Sequence, residues 1–148
     1  IIWLRKKFLQ FKKKNNNNYK VFIDRSDSKS KHCKIINNDI VIDFFKKLNF
    51  RIYQLSNLSF NQQIKIFNNS KIIVGVHGAG LTNFIFCKKN TKILEIRNKP
   101  NPNEVYEKIG FFNNLKYRTF KVDEIKNNKF GDMIIDIKKL QNQIKYLL

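Results

Sequence analysis

The chain has 148 residues, 42% of them apolar, which suits one ordinary domain with a real core. No stretch reaches the roughly eighteen uninterrupted apolar residues of a membrane span, and Ile1-Ile2-Trp3-Leu4 runs straight into Arg5-Lys6-Lys7, the wrong order for a signal peptide. The net charge of +19 comes from 25 Lys and 5 Arg spread along the chain, a solvated lysine surface rather than a single nucleic-acid-binding stripe.

Residues 1–14 place Ile1, Leu4, Phe8 and Phe11 at helical spacing, with Arg5, Lys6, Lys7, Lys12 and Lys13 between them. This predicts an amphipathic helix, which could lie on an anionic membrane or pack against a missing upstream domain. The chain starts at Ile1 rather than Met, which suggests a fragment, and Asn15 to Asn18 read as a linker. The expected division is therefore residues 1–18, helix and linker from an upstream domain, and residues 19–148, the folded domain.

Residues 19–23 form a short β-rich run, closed by the polar loop Asp24-Arg25-Ser26-Asp27-Ser28. Asn37-Asn38-Asp39 offers N-cap chemistry for a helix with Ile40, Val41, Phe44, Phe45 and Leu48 on its apolar face. Residues 51–55 are a second strand. Ser59, with Gln62 three residues on, fits a capping box for a short helix carrying Ile64, Ile66 and Phe67. Residues 71–76 are a third strand, leading into His77-Gly78-Ala79-Gly80 and a helix; residues 92–96 are a fourth. Asn101-Pro102-Asn103-Glu104 reads as another helix start, with Asn101 as cap and Glu104 closing the box. Residues 117–122 are a fifth strand, and residues 133–148 a last helix with Ile137, Leu140, Ile144 and Leu147 on one face. Cys33 and Cys87 stand far apart without CxxC spacing, which argues against zinc or a disulfide framework and for a reducing, cytoplasmic setting.

Strands alternating with helices, and no Asn-Gly hairpins, predict an α/β fold: a Rossmann-like, doubly wound parallel sheet of about five strands. In such sheets the ligand sits beyond the carboxyl ends of the strands, where the strand order reverses. With the order 2-1-3-4-5, that point lies between the first and third strands, and Arg25 would face the glycine turn across one crevice. The turn is not a P-loop, since no Gly-Lys-Ser/Thr follows. Nor is it the dinucleotide fingerprint, because Asn83 stands where the third glycine belongs and the turn follows the third strand. A helix start approached through glycines can hold an anion, here the diphosphate of a nucleotide; it can equally be a tight connection with no ligand.

His77, at the strand's carboxyl end, could donate to a phosphate oxygen or be a satisfied structural residue. Arg25 suits forked contact with a diphosphate, or an ion pair with Asp24 or Asp27. Glu95, flanked by Leu94 and Ile96, needs partners if buried: ribose hydroxyls, an Arg or backbone N–H groups. Thr82 and Asn83 could bond the ligand or cap the helix.

The blocks Val21-Phe22-Ile23-Asp24-Arg25, Ile35-Ile36-Asn37, Leu58-Ser59-Phe60-Asn61-Gln62-Gln63, Val74-Gly75-Val76-His77-Gly78-Ala79-Gly80-Leu81-Thr82-Asn83 and Ile93-Leu94-Glu95-Ile96, in this order and spacing, resemble glycosyltransferase family 61. That group holds capsular-polysaccharide and xylosyl- or N-acetylglucosaminyl-transferase-like proteins, and the resemblance covers roughly residues 19–120. Departures stand at Asp24, where members read Ser, and at Lys34, where they often read Arg; an acid beside a diphosphate is electrostatically unhelpful. The resemblance implies a GT-B fold of two Rossmann-like domains, of which this is the C-terminal, donor-binding one. It further implies a UDP-linked nucleotide sugar as donor, a glycan or polysaccharide acceptor, and inverting transfer without a metal or other cofactor. The residues agree in lacking an Asp-x-Asp metal motif. The leaving group would be neutralised by His77, Arg25 and the turn, with the donor site as a whole formed by Arg25, His77, Gly78, Ala79, Gly80, Leu81, Thr82, Asn83 and Glu95. No residue stands out as the general base. Two other readings compete: a non-catalytic nucleotide-binding Rossmann domain, and a basic nucleic-acid-binding module.

Overall fold

The computed structural model describes residues 1–9, 18–28, 32–102, 104–123, 125 and 130–148. Five strands, β1 (Tyr19–Asp24), β2 (Arg51–Gln54), β3 (Ser70–Val76), β4 (Lys92–Asn98) and β5 (Lys116–Val122), form one sheet in the order β2-β1-β3-β4-β5, every pair parallel. The expected α/β class and strand order are both present. Helices α1 (Ile2–Leu9), α2 (Asn38–Lys47), α3 (Phe60–Asn69), α4 (Val105–Phe112) and α5 (Ile137–Lys145) join the strands, together with a 3-10 helix at Ala79–Phe86. None of the described helices is long and apolar enough to cross a membrane.

Side chains alternate across a strand, so a sheet covered on both faces needs apolar residues at consecutive positions. Val21 and Ile23 of β1, Ile73 of β3 and Ile93 of β4 pack beneath α3, the 3-10 helix and Tyr106 of α4. Phe22, Val74, Leu94 and Phe120 face the other way, into Val41 and Phe45 of α2 and Leu140 and Ile144 of α5. Phe22 and Phe45 stack at 4.4 Å between ring centroids, and both are fully buried.

Several caps differ from expectation. Ser59 and Gln62 do make the reciprocal capping box at α3. Asn37 holds the N-cap position of α2, but its side chain instead binds the backbone N–H and C=O of Ile135, each at 2.9 Å, tying α2 to the segment before α5. Asn101 is no helix cap. Its N–H closes a turn onto the Asn98 carbonyl, and α4 begins at Val105 with no side-chain cap. The last helix starts at Ile137, four residues later than expected, because Met133 pairs as an isolated bridge with Ile35 and Asp136 then caps the helix.

The first helix is observed over Ile2–Leu9; its expected continuation through residues 10–14 and the asparagines at 15–17 lie outside the described residues. Leu4, Phe8 and Leu9 pack onto the core beneath α3 and the 3-10 helix, with Phe8 edge-on to Phe60 and Phe86. Arg5, expected on the polar face, turns inward and donates to the carbonyls of Ile85 and Cys87. Ile2 and Trp3 stay exposed.

Gly75 sets how closely the 3-10 helix lies on the sheet. A Cβ there would stand 2.7 Å from Leu81 Cδ2 and 3.4 Å from Ile23 Cβ, in a region where Leu81 is buried. Gly75→Ala therefore overpacks a closed site. We expect a loss of about 1–3 kcal/mol, read as a lower urea midpoint with an unchanged slope.

Candidate functional site

The crevice lies where topology predicts, at the carboxyl ends of β1 and β3. A cavity of about 270 Å³ opens there, lined on one side by Arg25 and Asp27 from the loop after β1 and by Leu55 and Ser56 after β2. Gly78, Ala79, Gly80 and Leu81 line the other side. Arg25 crosses the gap: its Nη1 donates to the His77 carbonyl at 2.7 Å and to the His32 carbonyl at 3.1 Å.

Two glycines of the turn are closely approached by side chains from the facing loops. A Cβ on Gly78 would lie 2.6 Å from Arg25 Nε, and one on Gly80 would lie 2.6 Å from Leu55 Cδ1. The turn then enters the 3-10 helix at Ala79, closed by Leu81 N–H onto the Gly78 carbonyl at 2.9 Å. The first N–H groups of a helix have no carbonyl upstream within it, so this start and the Arg25 guanidinium bring donors to the same cavity. An arginine carries five N–H donors, and the two carbonyl bonds leave the planar fork able to meet an anion.

Asp24, the acid next to Arg25, also lines the cavity, but its carboxylate is engaged by neighbouring donors. It accepts hydrogen bonds from the backbone and hydroxyl of Ser26, from Asn38 of α2 and from Gln54 of β2. Burial alone would push its carboxyl up; these bonds outweigh burial and hold it below the usual carboxylate range. Its bonds pin the loop after β1, α2 and β2 together at the edge of the crevice. Because its folded pKa is depressed, the stability it contributes is present above the unfolded value of about 3.9 and is lost as pH falls through the folded value. Asp24→Asn should lower the urea midpoint at neutral pH, and should shrink the difference between midpoints measured at neutral and strongly acidic pH.

The expected donor residues do not all reach the cavity. Arg25, Gly78, Ala79, Gly80 and Leu81 line it. Leu81 is otherwise buried, and it anchors the turn by packing near Gly75. Asn83 is turned towards α3, where its amide donates to Gln63 Oε1 at 2.9 Å and to the Gly80 carbonyl at 3.1 Å; it braces the turn from behind. Exposed Thr82 bonds the Tyr106 phenol.

His77 splits its functions between main chain and side chain. Its N–H continues the β-ladder onto the Ile96 carbonyl, and its own carbonyl receives Arg25. The imidazole turns towards β4, with Nδ1 at 2.5 Å from Glu95 Oε1 and the ring edge-on to Tyr106 at 5.1 Å. Glu95 is 1% exposed, and its second oxygen accepts from the Tyr117 hydroxyl. The buried Glu95 carboxylate thus has a protein partner on each oxygen, the His77 ring and the Tyr117 hydroxyl, and stands behind His77.

Sequence reasoning missed Tyr106 and Tyr117. The signal for Tyr117 lay in register: it pairs with Ile93, so it sits diagonally from Glu95 on the same sheet face. Burial, and then the bond to Glu95, push the Tyr117 phenol up, so it remains a neutral donor. Burial also pushes the Tyr106 phenol up; the Glu95 charge adds to this, and the Arg25 charge and Thr82 oppose it. Among the described residues no three His, Cys, Asp or Glu side chains form a group suited to a metal ion.

A parallel sheet covered by helices, with an arginine and a glycine turn facing each other at its switch point, defines an α/β domain with a candidate ligand site at that point. Its family is set by comparison with known proteins. The Glycosyltransferase 61 family model matches residues 1–94, well over half the chain, and the chain belongs to that family. It is 28% identical over 105 residues to the EGF domain-specific O-linked N-acetylglucosamine transferase of Drosophila melanogaster, covering 69% of this chain and 20% of that protein. It is 31% identical over 74 residues to the Mus musculus protein of the same name, covering 47% and 14%. The Beta-1,2-xylosyltransferase of Arabidopsis thaliana is 32% identical over 63 residues, covering 43% and 12%. The chain thus spans about a fifth or less of the length of these relatives.

Proposed function

We propose that this chain is the donor-binding domain of a glycosyltransferase that moves a sugar from a UDP-linked nucleotide sugar to a glycan acceptor, with inversion and without a metal. In this reading residues 19–148 are the C-terminal half of a GT-B enzyme, and the acceptor and general base belong to an upstream domain. Membership of the family supports the activity class, and relatives named for transfer of N-acetylglucosamine and xylose support a nucleotide-sugar donor. The observation that carries the reading is Arg25 laid against Gly78 at the mouth of the cavity.

In the transfer the acceptor oxygen bonds to the anomeric carbon as the bond from that carbon to the diphosphate oxygen breaks. The electron pair goes to the diphosphate and the acceptor's proton to the base. Negative charge therefore grows on the leaving group, where Arg25 and the N–H groups at the start of the 3-10 helix stabilise it. Donors fixed in place before the reaction need no reorganisation as that charge develops.

Titration calorimetry with UDP tests the reading. Saturable binding that competes with a UDP-sugar is the expected result, and no binding by the folded chain removes the site. The nucleic-acid reading has its own measurement, a shift assay with RNA at physiological salt. RNA-binding sheets expose aromatic side chains on one face, whereas both faces of this sheet are covered by helices. Only weak, salt-sensitive RNA binding is therefore expected.

A further inference from the structure

We propose that Glu95 and Tyr117 are positioning residues for His77, holding its imidazole with the proton on Nδ1 so that Nε2 is the nitrogen presented to the ligand. The identity of that ligand rests on the nucleotide-sugar reading above; the arrangement of the three side chains does not.

The direction of each bond follows from donor chemistry. Glu95 Oε1 lies 2.5 Å from His77 Nδ1, and a carboxylate can only accept. The opposite tautomer would set the Nδ1 lone pair against a carboxylate lone pair at that distance, which is repulsive. On the other side, burial and the Glu95 charge keep the Tyr117 phenol protonated, so it donates to Oε2. The chain of bonds therefore runs inward from both ends onto Glu95.

Rotation of the ring is also restricted. Glu95 is 1% exposed and lies on a central strand, and Tyr106 stands edge-on to the imidazole. The His77 side chain is 12% exposed, and its neighbours along the chain, Val76 and Gly78, both line the cavity. With Nδ1 committed to Glu95, Nε2 is the atom left to meet a ligand. It accepts a proton when the ring is neutral and donates to an anion when the ring is charged. A carboxylate behind a histidine that sets its tautomer and aim is a recurrent way to prepare the other nitrogen for work.

The test is nitrogen NMR on the full chain labelled with ¹⁵N-histidine, at a pH where the ring is neutral. Expected is a His77 signal dominated by the Nδ1-protonated tautomer, and a UDP titration that shifts Nε2 far more than Nδ1. In Glu95→Leu the acceptor is gone and the signal should revert towards the Nε2-protonated form. A wild-type His77 protonated on Nε2 would overturn the proposal, and so would an unchanged tautomer in a folded Glu95→Leu. If that variant does not fold, the wild-type tautomer decides alone. UDP binding seen by calorimetry without a shift at Nε2 would overturn the presentation of Nε2 to the ligand. Absence of UDP binding, with the proton on Nδ1, would instead sink the nucleotide reading and leave the positioning of His77 supported.

Discussion

Arg25→Ala should weaken UDP binding by about 10- to 100-fold, the consequence of losing charge-assisted hydrogen bonds of about 1.5–3 kcal/mol. The side chain is held by the His77 and His32 carbonyls and closes on Gly78, so its aim is fixed before any ligand arrives. Its removal takes away a charge and a prepared geometry together. Arg25→Lys should recover only part of the loss, since an ammonium keeps the charge but cannot reproduce the planar fork. Calorimetry on variants checked by circular dichroism measures this. Unchanged affinity in a folded Arg25→Ala would place the nucleotide elsewhere.

Phe22→Ala should cost about 3–5 kcal/mol, the largest stability effect expected of a single truncation here. Phe22 is wholly buried on a central strand, stacked on Phe45, and the cavity left behind would be enclosed by α2 and the sheet. Against a total stability of about 5–15 kcal/mol, this places the variant near the edge of folding. Phe111→Ala is the matched control. That ring is 79% exposed, and its loss should change stability by no more than about 0.5 kcal/mol. Equilibrium urea unfolding of both variants makes the comparison.

The two effects reflect two kinds of legibility. Phe22 could be assigned to the core from the sequence, because Val21-Phe22-Ile23 has no polar partner in its alternation and must be covered on both faces. The whole parallel sheet was readable for the same reason, whereas the strand order was assumed in placing the crevice and is set by the tertiary structure. Helix starts were less so. Asn37 and Asn101 have the chemistry of caps, yet the Asn37 amide is used on Ile135, and α4 begins only at Val105, beyond the turn that the Asn101 backbone closes. An asparagine amide can cap a helix or bond a distant backbone equally well, and for Asn37 only the packing of distant segments selects between them. Arg5 is a similar case: helical periodicity assigned it to solvent, and two open carbonyls at the end of the 3-10 helix drew it inward.

By itself the sequence determined the α/β class and the double cover of the sheet, consequences of local patterning; the strand order that sets the switch point and brings Arg25 to the glycine turn came with the tertiary structure. Tertiary structure alone decided what each polar side chain does there. It tied Asp24, at the edge of the crevice, to Ser26, Asn38 and Gln54 and set Asn83 behind the turn. It also joined His77 to Glu95 on β4, 18 residues on, and Glu95 to Tyr117 on β5, a further 22 residues on. The physical reason is that a buried carboxylate must find donors wherever the fold supplies them, and strand register, which no single segment encodes, determines which donors come within reach.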